Sequence, residues 1–261
     1  MTLENVENCG ISALNNKAIQ LVQQGEGRNA VKVLLQALST LKLEVCSGKT
    51  CASAAASDSG AAFVRIALPS QCSADNAALS TYDTLFGITS CVNPCAPQQR
   101  DGSTACLLYN MALSHQRCTN SVSQPKARVA HLKKAAMTYN MAFSAAQHWK
   151  RWTDMHSGYQ ILSLAIVNNL LVIHYELGNT EKVAQLHTLL RDTLFGQKGD
   201  HISSQELSLF AKNLSRCTGE APPAAPSVAA SSGSCTTSGC DAGTAATAAH
   251  GQPTLIVPHS A

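Results

Sequence analysis

Residues 11–43 read ISALNNKAIQLVQQGEGRNAVKVLLQALSTLKL, and the architecture of the chain turns on this stretch. Leu14, Ala18, Leu21 and Val22 recur at helical spacing before Gly25-Glu26-Gly27. Ala30, Val33, Leu34, Ala37, Leu38 and Leu41 do the same after it. Gly25 supplies the left-handed residue that ends one helix, so the next folds back on the first as an αα-hairpin.

The same device returns farther along. Asn168-Asn169 and Gly178 repeat the spacing of Asn15-Asn16 and Gly25, with Val172 and Tyr175 falling where Ile19 and Val22 stand. The helix predicted from Tyr159 to Leu177 is apolar nearly all round, which assigns it to the middle of the core. Asn179-Thr180 suits the cap of a following helix that runs to about Phe195, before Gly196. Between these pairs, YNMALS at 109–114 and YNMAFS at 139–144 are near copies on successive helices. The second of them carries Val129, Leu132, Ala136, Tyr139 and Phe143 as an amphipathic stripe, with Pro125 in its first turn. A last helix opens on the capping-box spacing of Ser203 and Glu206 and presents Leu207, Phe210 and Leu214, enough to close the end of a stack.

Two segments break the pattern. An insertion at about 45–101 is rich in cysteine and holds an Ala/Ser run and two strand-like pieces, Phe63 to Leu68 and Tyr82 to Thr89, which could pair as a small ladder despite weak alternation. From 217 to 261 the chain is mainly Ala, Ser, Thr, Gly and Pro with two charges, Glu220 and Asp241, a composition expected to stay disordered.

In the first hairpin, Ala18, Leu21, Gly25, Ala30, Leu34 and Ala37 sit at the spacings of the small, large, Gly, small, large and small positions of a tetratricopeptide repeat, which this hairpin resembles. Ala135, Tyr139 and Ala142 repeat the ending. The third pair departs from it: Leu171, Val183 and Leu190 hold small positions, and His174 and His187 hold large ones. Degenerate repeats with an insertion after the first are similar to the tetratricopeptide-like proteins, without assigned activity, that are abundant in diatoms. The resemblance covers about half the chain. It implies an all-α fold, an αα-hairpin solenoid over residues 9–216, and a protein-binding role with no known activity.

Composition narrows the classes. A formal charge of +3 is too small to imply nucleic acid or membrane by itself. Met1 to Lys17 has no apolar run of a secretory signal, and Ile161 to Tyr175 is both interrupted by two asparagines and shorter than the roughly 20 residues a span requires. The expectation is a cytoplasmic or nuclear protein whose eleven cysteines are reduced thiols. Cys46, Cys51, Cys72, Cys91 and Cys95 are spaced more loosely than zinc knuckles, so no metal or other cofactor is expected. Ser47-Gly48-Lys49-Thr50 lacks the first Gly, the strand and the helix of a phosphate-binding loop. His115, His131, His148, His156, His174 and His187 form no catalytic motif, and the chain reads as no enzyme.

The candidate binding residues lie on the first helix of each pair. Asn16, Asn110 and Asn169 fall at equivalent points, with Tyr109 and Tyr175 on the same helices. An amide there can donate to a carbonyl and accept from an N–H at once, gripping the main chain of a protein or peptide partner in a groove. The competing reading is that these amides bridge neighbouring helices inside the stack. A rival function uses the basic helix 126–151: no acidic residue occurs between Asp101 and Asp154, and Lys126, Lys133 and Lys134 lie off the apolar stripe, where they could meet an anion or nucleic acid. Base-reading signatures are missing, so nucleic acid is the weaker expectation.

Overall fold

A computed structural model describes residues 10–46, 63–68, 79–88, 96–150, 157–196 and 202–218. Among these, seven helices and one two-stranded sheet follow in the order α1 (Gly10–Gln23), α2 (Gly27–Cys46), β1 (Phe63–Ala67), β2 (Thr84–Ile88), α3 (Pro97–Cys118), α4 (Pro125–Lys150), α5 (Ser157–Glu176), α6 (Thr180–Phe195) and α7 (Ser204–Thr218). The phosphate-loop-like run at 47–50, the cysteines at 51, 72, 91 and 95, the side chain of Cys46, His156 and the C-terminal tail lie outside the described residues.

Each helix packs on the next, and α1, α3, α5 and α7 also touch in that order. These odd-numbered helices form one layer, with α2, α4 and α6 against it. The turns are made as the glycines foretell. Gly25 (φ 81°) and Gly178 (φ 69°) are both left-handed. At each, the glycine N–H reaches back three residues and the following N–H five, Gly25 to Val22 and Glu26 to Leu21, Gly178 to Tyr175 and Asn179 to His174. That pairing is the Schellman closure, and it satisfies carbonyls a helix end would otherwise leave open. Gly27 serves close packing instead. A Cβ there would lie 2.7 Å from Cys118 Sγ and 3.1 Å from the Ser114 carbonyl oxygen, so the start of α2 can lie on the last turn of α3 only without a side chain.

The caps also form as spaced. Asn179 Oδ1 accepts from the Lys182 N–H at the head of α6. Ser203 and Glu206 exchange hydrogen bonds at the head of α7, the Ser203 N–H to Glu206 Oε2 and the Glu206 N–H to Ser203 Oγ. Helix α5 is buried continuously from Tyr159 to Ile173, as its all-round apolarity requires. The two strand-like pieces do pair. β1 and β2 run antiparallel with Phe63 opposite Ile88 and Ala67 opposite Thr84. Leu85, Phe86, Gly87 and Ile88 are buried, while Val64, Arg65 and Ala67 of β1 are exposed.

Candidate functional site: an amide ladder around residues 79–88

Residues 79–88 run extended across the odd-numbered helices, from α7 to α1. In an extended chain the N–H and C=O of one residue point to the same edge, and those of the next residue to the other. The edge carrying residues 83, 85 and 87 faces β1: Leu68 N–H donates to the Asp83 carbonyl at 2.9 Å, continuing the ladder. The edge carrying residues 80, 82 and 86 faces the helices, and there asparagine side chains stand where a neighbouring strand would be.

Two of the three contacts are copies of one another. At Phe86, the N–H donates to Asn110 Oδ1 (3.0 Å), while the carbonyl accepts from Asn110 Nδ2 (2.8 Å) and Asn15 Nδ2 (3.0 Å); Asn110 Nδ2 also donates to Asn15 Oδ1 (2.9 Å). At Ser80, the N–H donates to Asn213 Oδ1 (2.8 Å), while the carbonyl accepts from Asn213 Nδ2 (2.7 Å) and Asn168 Nδ2 (3.1 Å); Asn213 Nδ2 also donates to Asn168 Oδ1 (2.7 Å). In each, one helix supplies an amide that pairs both backbone groups, and the preceding odd helix supplies a second donor to the same carbonyl. Between them, Tyr82 N–H donates to Asn169 Oδ1 (2.8 Å), and its carbonyl accepts from Asn169 Nδ2 (3.2 Å) and the Tyr109 hydroxyl (3.0 Å). The Cys106 thiol adds a further donor to the Phe86 carbonyl, kept protonated by burial, and Ser12 Oγ donates to the Ile88 carbonyl.

All five asparagines are buried, and each finds partners for both ends of its amide. That condition matters because an unpaired amide in such surroundings costs about 1–3 kcal/mol.

Side chains of the strand are held as well. The Tyr82 hydroxyl donates to Glu206 Oε1 (2.6 Å), its ring stacks on Phe210 (5.5 Å between centroids), and Arg65 of β1 donates to both Glu206 oxygens at 2.7 Å. Burial alone would push the Glu206 carboxyl up, but the Tyr82 and Ser203 hydrogen bonds and the Arg65 charge outweigh it and hold it below the usual carboxylate value. Asp83 lies 3.3 Å from the Arg117 guanidinium; here burial wins, and the carboxyl is raised despite its partner. Phe86 meets Tyr109 edge-on at 5.1 Å. Thr81 Oγ1 accepts from Gln116, whose Oε1 accepts from the Tyr139 hydroxyl.

Of the residues singled out in the sequence, Asn110, Asn169 and Tyr109 come together on the strand. Asn16 lies beside Gly87 but enters none of these hydrogen bonds: its side chain is exposed, and Asn15 makes the contact instead. Burial explains the shift by one residue. Ile11, Asn15, Ala18 and Val22 share the buried face of α1, and Asn16 is turned about 100° away from it. Tyr175 is 48% exposed near the end of α5 and lies outside the ladder. The amides also bridge helices, Asn110 to Asn15 and Asn213 to Asn168, as the competing reading has it, and the main chain they hold is the chain's own. Lys126, Lys133 and Lys134 are exposed on α4, and none of them enters an ion pair among the described residues. His187 meets the Leu214 carbonyl at 3.2 Å, a packing contact between α6 and α7.

Sequence reading missed Asn213, whose signal was its place three residues after Phe210 on the apolar face of α7. It also missed Glu206 as more than a cap. Cys106, Cys118 and Cys217 are free thiols. Among the described residues no cluster of His, Cys, Asp and Glu is arranged to hold a metal, and no helix is long and apolar enough to cross a membrane. Compared with models of protein families, with curated proteins and with solved structures, the chain matches none.

Proposed function

We propose that this chain is a tetratricopeptide-like repeat scaffold that binds protein partners by gripping extended main chain along its odd-numbered helices, and that residues 79–88 occupy the groove as a ligand supplied by the chain itself. The amide ladder carries the reading. Side-chain amides at 110, 169 and 213 each meet the N–H and the C=O of a single residue, at Phe86, Tyr82 and Ser80. Such two-point contacts recognise a polypeptide by its backbone and ask nothing of its side chains. Their recurrence from helix to helix supports a repeat built for a linear polymer, and suits the protein-binding role that the repeat resemblance implies.

A groove of this kind has to release its own strand while the helices stay folded. Native-state hydrogen exchange reads that event residue by residue. The amides of Ser80, Tyr82 and Phe86 are expected to exchange through an opening of lower free energy than the core amides of α3 and α5. Exchange of all of them at the free energy of global unfolding would make the strand a permanent part of the core and overturn the reading.

A further inference from the structure

This inference rests on the groove reading and specifies the ligand. We propose that the groove selects a segment with a tyrosine, an acidic residue directly after it and an aromatic residue four after the tyrosine, and that Tyr82, Asp83 and Phe86 are the copy that competes with a partner's.

Main-chain contacts at Ser80, Tyr82 and Phe86 fix register and direction, but three side chains of the strand meet groups chemically matched to them. The Tyr82 phenol donates to Glu206 Oε1 at 2.6 Å, and Phe210 lies along its ring. Phenylalanine would keep the stacking and leave a shielded carboxylate oxygen without that donor. Asp83 faces Arg117 at 3.3 Å, with the two side chains only 21% and 13% exposed, so a neutral or basic residue there would deprive a largely shielded cation of this carboxylate. Phe86 meets Tyr109 edge to face at 5.1 Å, at the point where three donors converge on its own carbonyl. Glu206, Arg117 and Tyr109 sit on the helices, so all three would meet an incoming segment in the same way.

The tethered copy has a large advantage. Only seven residues separate Ile88 from Ala96, and a short tether gives an effective concentration of order millimolar. A free peptide therefore shows itself only when the resident strand is weakened.

The test uses the full-length chain carrying Tyr82→Ala and Phe86→Ala. Its probe is a fluorescent peptide with the sequence of residues 78–89, read by anisotropy. That peptide is expected to bind. The same peptide with Tyr82→Phe, or with Asp83→Lys, is expected to bind about 10–100-fold more weakly, the range for losing a hydrogen bond to a charged group. Equal binding of all three peptides overturns the selection while leaving main-chain recognition intact. Binding of none overturns both. Should the double variant lose its helical circular dichroism, Tyr82→Phe and Asp83→Lys are made one at a time in the chain itself, and exchange of the Ser80, Tyr82 and Phe86 amides is expected to speed about 10–100-fold in each; unchanged exchange overturns the selection.

Discussion

An asparagine side-chain amide presents an N–H and a C=O on the same side, as one residue of a neighbouring strand does, which is why it can stand in for that strand. Glu206 shows a second economy of the same kind, one carboxylate serving the α7 cap, the Tyr82 phenol and Arg65. Its folded-state carboxyl is lowered, so the stability it contributes is fully present above the ordinary carboxylate range and is lost as pH falls through the depressed value. Glu206→Gln is therefore expected to lower the melting temperature most near pH 6, with the gap to the native chain closing as pH falls below about 4. Melts of both proteins from about pH 3 to 6 check this, and a gap constant with pH would contradict it. Asp83 works in the opposite sense, its raised carboxyl favouring the folded state as pH falls, which is why the difference between the two proteins is the informative quantity. How far these residues were legible differs between them. Asn110 and Asn169 could be read from their place on repeated helices, and the pairing of Ser203 with Glu206 from its spacing alone. Asn15 and Asn16 are adjacent and chemically identical; only the phase of the buried face separates them.

Helices and turns were the most legible part, because their causes are local. Gly25 and Gly178 close their helices through hydrogen bonds spanning three to five residues, and a Cβ at either would meet nothing within 4 Å. The cost of Gly178→Ala is therefore conformational alone, about 1–2 kcal/mol for a non-glycine residue held left-handed. Chemical denaturation should show that loss with an unchanged slope; no loss would mean the turn is not held in that form. The strand was legible in a weaker sense. The apolar pieces around 63–68 and 82–89 announce a ladder, and β1 and β2 form one. Nothing in them announces that residues 79–88 lie along the helices, because every partner on that edge is distant in sequence, 20 residues for Cys106 and 133 for Asn213. Such pairings are specified by the whole arrangement of helices.

Among the described residues, the odd-numbered helices and residues 79–88 explain each other: the helices bring buried amides into line, and the extended segment satisfies them. Asn15, Asn110, Asn168, Asn169 and Asn213 would each lose backbone partners if that segment were absent. Residues 79–88 of the insertion are thus bound to every odd helix, while Lys126, Lys133 and Lys134 lie exposed on α4, apart from the ladder. One series of substitutions tests the ladder most directly: Asn15→Ala, Asn110→Ala, Asn169→Ala and Asn213→Ala, with Asn16→Ala beside them, each followed by equilibrium denaturation. Asn110→Ala, Asn169→Ala and Asn213→Ala should each cost about 1–3 kcal/mol, the penalty for leaving the buried N–H of Phe86, Tyr82 or Ser80 unpaired, while Asn15→Ala removes one of three donors to the Phe86 carbonyl and should cost about 1 kcal/mol. Asn16→Ala should stay within about 0.5 kcal/mol, as an exposed side chain outside the ladder. A loss at Asn16 equal to that at Asn15, or no loss at Asn110 and Asn169, would contradict it.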